Sequence, residues 1–309
     1  MFAGAVFLGA GLLDEAVGDP EGWPHPVRAM GWVIARADRA RHAITSPGGL
    51  RFLGILLAAG LPLAAGGFAW AALRLCGPWA WLGQLLLGAW MLAGRSLRDA
   101  VLPVARALET GALPEARLRV ARVVGRDTEG LDAPEVARAG LETLAESLCD
   151  GVLAPLFWFT LAGLPGLWAF KAVSTLDSMV GHKEAPFTHF GWASARLDDL
   201  LNWIPARLAV AVIALAGWSR RALALAWRDG GKTASPNAGW PEAAFAGALG
   251  VQLGGLNRYD GVPHQGPLLG DPGAALDANS LRRGIRLCRR ANLIALGLGA
   301  AVLWGLAHG

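Results

Sequence analysis

Long apolar segments alternate with polar, arginine-rich segments along the chain. Residues 52–73 and 75–94 carry no charge over 22 and 20 residues, so each is long enough to cross a hydrocarbon core about 30 Å thick. Residues 152–170 and 291–307 are similar, at 19 and 17 residues. This pattern predicts an all-α, polytopic integral membrane protein with about four to six transmembrane helices and additional interfacial helices. Two shorter apolar runs complete the pattern, at residues 2–13 and 204–219.

Composition and charge support this class. The chain is 54% hydrophobic and only 17% charged, with a net charge of +4, which argues against a soluble protein. Because the arginines cluster in the segments between apolar runs, we assign the charge to membrane topology and not to nucleic acid. The expectation is a single membrane domain, residues 1–309, in the inner (cytoplasmic) membrane, with its main polar segments near 95–150 and 219–290 in the cytoplasm.

The polar segments contain several predicted helices. Asp132 suits an N-cap and Pro134 a first turn, so residues 133–150 are expected to form one helix. The segment 257–271 is expected to be a loop. Further helices are predicted at residues 27–43, 97–110, 114–124, 193–203 and 277–290, and a tight helical hairpin at 52–94.

Within the helix predicted at 133–150, Glu142, Glu146 and Asp150 recur at every fourth position. This spacing places three carboxylates on one stripe, where like charges repel one another. One reading is a solvated face with Arg138 paired to Glu142. The other is a site for a substrate cation or a divalent ion such as Mg²⁺, which favours carboxylates combined with phosphate. The preceding loop, Arg126-Asp127-Thr128, adds groups that suit a phosphate or metal site.

The segment 171–207 is unusually polar for a stretch between apolar segments. It contains Lys171 and Lys183, two of only three lysines among 28 basic residues. A chain so biased toward arginine is expected to keep lysine where a compact ammonium is needed. Ionisable residues between membrane segments indicate function. Candidate residues on the two predicted helices here are Lys171, Ser174, Asp177 and Ser178, and Arg196 and Asp199.

Two other polar groups and one apolar segment leave alternatives open. Lys232, Ser235 and Asn237 lie together in a loop, where packing does not explain all three. Residues 14–25 either lead into an interfacial helix or place Asp14, Asp19 and His25 on one wall of a site. Because it contains prolines and glycines, the segment 152–170 either spans the membrane or re-enters it, and re-entry is favoured.

Common nucleotide-binding and hydrolase motifs are absent from the sequence: there is no GxxxxGK[ST], GxGxxG, HExxH or GxSxG pattern. Carboxylates, a few lysines and Ser, Thr and Asn side chains remain. These residues are consistent either with a membrane-embedded transferase or ligase that uses Mg²⁺ and phosphates, or with a transporter.

Sequence blocks in order along the chain resemble the adenosylcobinamide-phosphate synthase (CobD/CbiB) family of cobalamin biosynthesis. The resemblance covers nearly the whole chain. The blocks are GDPEGWPHPVRAMG (18–31), AGRSL (93–97), VGRDTEGL (124–131), ETLAESLCDGVLAPLFW (142–158), KAVSTLDSMVGHKE (171–184), FGWASARLDDLLNWIPARL (190–208), SPNAGWPEAAFAGALGVQLGG (235–255) and GD (270–271).

The resemblance implies an ATP- and Mg²⁺-dependent ligase. Its reaction would join (R)-1-aminopropan-2-ol, or the O-phosphate of this amine, to the propionate of adenosylcobyric acid through an amide. Two positions depart from the family pattern: Ser147 stands where Asn is usual, and His182 where Tyr is usual. Both replacements are polar, so they affect positioning and not the type of reaction.

An acyl-phosphate route would need carboxylates for metal and base, and cations for the phosphoryl group. We assign the first role to Glu142, Glu146, Asp150 and Asp127, and the second to Lys171, Lys183, Arg126 and Arg196, with Asp177 and Asp199 orienting these cations. Thr128, Ser174, Ser178, Ser235 and Asn237 are further candidates for substrate binding. The expected site joins the 171–207 segment to the carboxylate stripe.

The expected partners are adenosylcobyric acid, aminopropanol or its phosphate, and the lipid bilayer. A corrinoid or amine permease and a non-enzymatic membrane sensor share the hydrophobic profile and stay open as alternatives. Homo-oligomers and complexes with other cobalamin-assembly enzymes also stay open.

Overall fold

The structure is a computed structural model that describes residues 2–19, 22–182 and 186–308. Over these residues the chain is mainly helical, as predicted, with one β-hairpin. The α-helices are α1 (Phe2–Val17), α2 (Pro26–Arg41), α3 (Pro47–Leu75), α4 (Ala80–Ala89), α5 (Gly94–Glu109), α6 (Leu113–Val120), α7 (Ala133–Leu148), α8 (Ala154–Val180), α9 (Trp192–Leu201), α10 (Trp203–Ala216), α11 (Arg220–Asp229), α12 (Gly239–Leu249) and α13 (Ala278–Leu306), and the strands are β1 (Leu253–Tyr259) and β2 (Val262–Leu269).

The chain divides into two compact units. The first unit contains residues 1–93, 154–202 and 296–309, and the second contains residues 94–153 and 203–295. The prediction of a single membrane domain over 1–309 stays a prediction.

Three helical segments of the described chain are long and apolar enough to cross a membrane: Pro47–Leu75, Ala133–Val180 and Ala278–Leu306. The consecutive helices α9 and α10 make a fourth candidate if together they form one broken span. The prediction of an all-α, polytopic membrane protein is therefore confirmed, but with three or four candidate spans in the described chain where four to six were expected.

The second predicted span, residues 75–94, is wrong in its length. Gly77 has a positive φ of 51° and opens a 3-10 turn, Gly77–Trp79. Helix α4 then has only ten residues, which at 1.5 Å per residue extend about 15 Å. Hydropathy alone overestimated the length of this helix, because part of the apolar run forms the Gly-Pro turn and not the helix.

Close helix packing holds the first unit together. A Cβ atom at Gly54 of α3 would lie 2.0 Å from the backbone oxygen of Phe190, so only glycine allows this approach. Phe190 is itself fully buried, in a cluster with Ile34, Leu176 and Val180. Long α3 therefore packs against the segment that leads into α9.

Helix α8 is broken in the middle, as its prolines and glycines predicted. Ala162 and Gly163 have non-helical backbone angles, and Gly163 has a φ of 63°. The choice between a spanning and a re-entrant segment, and with it the side of the membrane that residues 171–203 occupy, stays a prediction.

In the second unit, α7 begins as the sequence predicted. The Asp132 side chain accepts a hydrogen bond from the Glu135 N–H, and the Glu135 side chain accepts one from the Asp132 N–H, which completes a capping box. The helix ends in a π-helical turn, Cys149–Leu153. Asp150 therefore lies in that turn and not in the regular helix.

The loop predicted at 257–271 is wrong, because residues 253–269 form an antiparallel hairpin. Its register pairs Tyr259 with Val262 and Asn257 with His264. The turn residues Asp260 and Gly261 have positive φ angles of 50° and 77°, as a two-residue hairpin turn of the primed type requires. An Asp-Gly pair was the sequence signal for this turn.

A buried carboxylate fixes the end of the hairpin to α11. Asp229 is fully buried and pairs with Arg228 at 2.7 Å and Lys232 at 2.6 Å. The Gly270 N–H also donates to Asp229, over 2.8 Å. The hydrogen bonds from Arg228 hold the pKa of Asp229 well below its usual range. Lys232, one of the loop residues that packing did not explain, therefore pairs with a carboxylate that stabilises the fold.

The glycine contact gives a first test. Gly54→Ala should lower the thermal unfolding midpoint of the detergent-solubilised protein, because the added methyl group collides with backbone that cannot move aside cheaply. Gly60→Ala, on the same helix with open space around the new Cβ, is the control and should leave the midpoint unchanged or raise it. Equal midpoints for the two variants would contradict the close approach at Gly54.

Asp229 gives a second test. Asp229→Asn should lower the free energy of unfolding by about 2 kcal/mol at pH 7, since it removes a buried carboxylate that accepts charge-assisted hydrogen bonds from two half-exposed cations. The folded-state pKa is depressed, so this stabilisation is fully present above the ordinary carboxyl pKa of 3.8 and is lost as pH falls through the lower folded pKa.

Unfolding in denaturant from pH 8 to pH 3 measures this difference. The gap between wild type and variant should be constant down to about pH 4 and then shrink. Asp271→Asn is the control, because Asp271 contacts the same Arg228 but is 40% exposed; it should have a much smaller effect. A gap that widened in acid would contradict the assignment.

Candidate functional site

A cavity of about 310 Å³ lies in the second unit, between α7, the loop before it, the start of α12 and the hairpin. Its lining combines carboxylates, a guanidinium and two aromatic side chains. The polar and aromatic lining residues are Arg126, Glu142, Thr143, Glu146, Ser147, Thr233, Glu242, Asn257, Tyr259 and His264.

Glu142 is a carboxylate of the cavity with several bonded partners. Its Oε1 accepts from the Gly254 N–H at 2.8 Å and from Arg138 Nη1 at 3.2 Å. Its Oε2 lies 2.7 Å from Arg126 Nη2. The Arg138–Glu142 pair given as one alternative by the sequence is thus formed, and Glu142 joins helix, loop and hairpin.

Arg126 supplies positive charge to the cavity. Its side chain is only 6% exposed, and its Nη1 donates to the side-chain oxygen of Asn257 on β1. Among the described residues, its Nε has no hydrogen-bond partner. A buried donor of this kind at a cavity wall suits an anionic ligand group.

Glu242, which the sequence reasoning missed, brings a further carboxylate to the wall. Burial raises the pKa of Glu242 well above its ordinary value, and the negative charges of Glu146, Glu142 and Asp150 raise it further. The other three carboxyl groups are therefore close enough to act on Glu242. The sequence signal was a single acidic residue within the apolar stretch that follows Trp240.

The Mg²⁺ site predicted from the sequence involves these carboxylates. Among the described residues, no three His, Cys, Asp or Glu side chains are grouped to hold a metal ion. The oxygens of Glu142 contact Arg126, Arg138 and a backbone N–H. Mg²⁺, however, is usually held by one or two carboxylates together with substrate phosphates and water. Glu146 and Glu242 fit that smaller requirement.

The other site candidates of the second unit are not among the lining residues of this cavity. The Asp127 N–H donates to the Arg258 oxygen at 2.9 Å, and its carboxylate accepts from the Gly261 N–H at 2.7 Å. Asp127 thus holds the hairpin, and neighbouring Thr128 is buried. The Ser235 side chain accepts from the backbone N–H groups of Asn237 and Ala238, just before α12, and Asn237 accepts from Arg207 at 2.7 Å.

The remaining candidates belong to the first unit. Lys171, Ser174 and Asp177 are half-buried on α8, while Ser178 is exposed and donates to the Ser174 oxygen. On α9, Arg196 is exposed and Asp199 half-buried. Lys183 lies outside the described residues. The predicted approach of Lys171 or Lys183 to Glu146 or Asp150 stays a prediction.

Asn202, which follows α9 and was not a site candidate, is more deeply buried than the α9 candidates Arg196 and Asp199. Asn202 is 1% exposed and donates to Asp198 at 2.9 Å. The charges of Asp177 and Asp199 act on Asp198, so α8 and α9 share a cluster of carboxylates. Elsewhere in this unit, His25 lies 3.6 Å from Asp19 and lines an apolar cavity of about 460 Å³. Asp14 lines another apolar cavity, of about 360 Å³.

Comparison with known proteins shows which family this chain belongs to. The family model described as CobD/Cbib protein matches residues 7–288. The chain belongs to the CobD/Cbib protein family. No solved structure matches it.

Relatives of the same family cover nearly the full length. "Cobalamin biosynthesis protein CobD" of Geobacter metallireducens is 48% identical, over 97% of this chain and 96% of that protein. The protein of the same name from Yersinia enterocolitica is 43% identical, over 96% and 95%, and "Cobalamin biosynthesis protein CbiB" of Salmonella typhimurium is 41% identical, over 96% of both. These names support a role in cobalamin biosynthesis for this member of the CobD/Cbib family.

The contacts of Glu142 give a third test. Glu142→Ala should lower the free energy of unfolding by about 3 kcal/mol, because it leaves Arg126 and Arg138 buried without their carboxylate. Glu115→Ala is the matched control, since it breaks an exposed pair with Arg119 four residues away, and such pairs contribute little. Chemical unfolding in detergent measures both, and an equal, small loss would show that Glu142 does not join these elements.

Proposed function

We propose that this protein is an ATP-dependent acid–amine ligase of cobalamin biosynthesis. It would join (R)-1-aminopropan-2-ol, or the O-phosphate of this amine, to the propionate of adenosylcobyric acid, giving adenosylcobinamide or its phosphate. Membership of the CobD/Cbib family supports the pathway. The observation that carries the reaction type is the cavity in which Arg126 faces a group of carboxylates.

Two types of polar group in this cavity suit phosphoryl transfer. Arg126 is buried, and its Nε has no hydrogen-bond partner among the described residues, so its guanidinium offers donors to a phosphoryl oxygen. Glu146 and Glu242 would hold Mg²⁺ together with the phosphates of ATP, and the ion would supply charge neutralisation for the transferring group. Glu142 would act through Arg126, since it fixes the guanidinium in place.

The proposed route forms an acyl phosphate and then an amide. The propionate oxygen attacks the γ-phosphorus of ATP, ADP leaves, and the amine nitrogen then attacks the acyl carbon and displaces phosphate. The amine loses a proton in the second step, and a carboxylate of the cavity would accept it. Lys171 and Arg196 would bind anionic substrate groups, and Asp177 and Asp199 would orient these two cations.

Reconstitution with purified protein tests the proposal. Detergent-solubilised protein, adenosylcobyric acid, aminopropanol or its phosphate, and Mg·ATP should give a corrinoid amide together with ADP. Uptake of corrinoid or amine into protein-containing liposomes without any amide product would indicate a permease. Absence of both product and uptake would favour a sensor.

Substitutions test the residues. Glu146→Ala and Lys171→Ala should each abolish amide formation, measured by chromatography of the corrinoid product. Glu115→Ala, an exposed change on α6, is the control and should turn over at the wild-type rate. Wild-type turnover in either of the first two variants would remove that residue from the site.

A further inference from the structure

The chain contains a single tyrosine beside 14 tryptophans and 10 phenylalanines. That residue, Tyr259, lines the cavity of the second unit at the end of β1. It is 45% exposed, so it stands at the open side of the cavity and not in its interior. None of the roles assigned above uses it.

His264 forms a corner with Tyr259. Their ring centroids are 6.2 Å apart and the ring planes meet at 83°. The register of the hairpin explains the contact, because Tyr259 pairs with Val262 and Asn257 pairs with His264. Tyr259 and His264 are therefore diagonal neighbours on one face of the hairpin. Aromatic side chains can reach one another over this distance. Such a corner offers one ring face and one ring edge to a flat ligand ring.

The same hairpin face connects the aromatic corner to the charged part of the cavity. Asn257, two residues before Tyr259, accepts a hydrogen bond from Arg126. Alternate residues of a strand point to the same side and lie about 7 Å apart. A ribose extends over a similar distance, so a nucleotide with its phosphates near Arg126 would place its base near Tyr259.

The corner is held firmly with respect to Arg126. Arg138 donates to the oxygens of Gly254 at 2.6 Å and Leu256 at 2.8 Å, and Asp127 bonds both sides of the hairpin turn. A stacking surface is most effective when it is ordered before the ligand arrives, because less conformational entropy is lost on binding. These bonds supply that order.

We propose that Tyr259 and His264 form the base-stacking site for the purine ring of a nucleotide whose phosphates bind at Arg126. This inference rests on the proposed function, which supplies the nucleotide as ATP. A base has a π-face for stacking on Tyr259 and needs no buried apolar pocket. The small cavity and the two-ring corner match a purine better than a corrin macrocycle.

Equilibrium binding to the full-length protein in detergent tests the stacking site. Ligands are ATP and inorganic tripolyphosphate, each with Mg²⁺. The wild type should bind ATP about tenfold more tightly than tripolyphosphate, as expected for one stacked base. Tyr259→Ala should remove that advantage and leave the affinity for tripolyphosphate unchanged, while Tyr259→Phe keeps it. His264→Ala should reduce it.

Gln265→Ala is the control, because Gln265 is exposed on the same hairpin but outside the cavity lining. It should bind both ligands like the wild type. Unchanged ATP affinity in Tyr259→Ala, with amide formation still dependent on ATP, would overturn the stacking site and leave the proposed function intact. A loss confined to adenosylcobyric acid affinity would also overturn it, in favour of a corrinoid contact.

Failure of the wild type to bind either ATP or tripolyphosphate would reject the proposed function and the stacking site together. In turnover, Tyr259→Ala should raise the KM for ATP about tenfold with little change in kcat or in the KM for the amine. A merely structural role would lower kcat in both Tyr259→Ala and Tyr259→Phe, and this result would count against the stacking site.

Discussion

The second unit depends on the neutralisation of one largely buried carboxylate. Glu142 faces two arginines and a backbone N–H, because a charge removed from water needs opposite charge and hydrogen bonds around it. Its three partners come from different parts of the chain: the loop before α7, α7 itself and β1. One side chain thus determines where the loop and the hairpin lie on the helix.

The cavity follows from that arrangement. With the hairpin held on α7 by Glu142 and Arg138, and on the preceding loop by Asp127, its cavity-facing residues stand opposite the carboxylates of α7 and α12. Arg126 has two uses here, since it pairs with Glu142 and also keeps a buried Nε that has no hydrogen-bond partner among the described residues. Bonds that stabilise the fold therefore also order the proposed binding groups.

The first unit is built on a different principle. Its helices bury apolar faces, and small residues such as Gly54 let them approach closely, which is the usual way for helices to associate where water is absent. The polar groups of α8 and α9, among them Asp198 and Asn202, are the exception. Their burial needs hydrogen bonds such as the one between these two side chains.

Local signals in the sequence determined the membrane class, most helix positions, the Asp132 capping box and the break in α8. These features depend on residues within a few positions of one another, so pattern and propensity suffice to predict them. Local pattern failed where hydropathy and turn chemistry disagreed: residues 75–94 are apolar enough to span, but Gly77 and Pro78 shorten the helix. The Asp-Gly signal at 260–261 was overlooked within a segment interpreted as a loop.

Only the tertiary structure decided which of the predicted polar residues share a cavity. The contacts of Glu142 with Gly254 and of Arg126 with Asn257 join residues more than 100 positions apart, and no local rule specifies such pairs. The stripe at 142, 146 and 150 was visible in the sequence. That Glu142 also contacts Arg126 and Gly254, and that Glu242 and Tyr259 complete the wall, depends on long-range packing, which the spacing of residues along one helix does not encode.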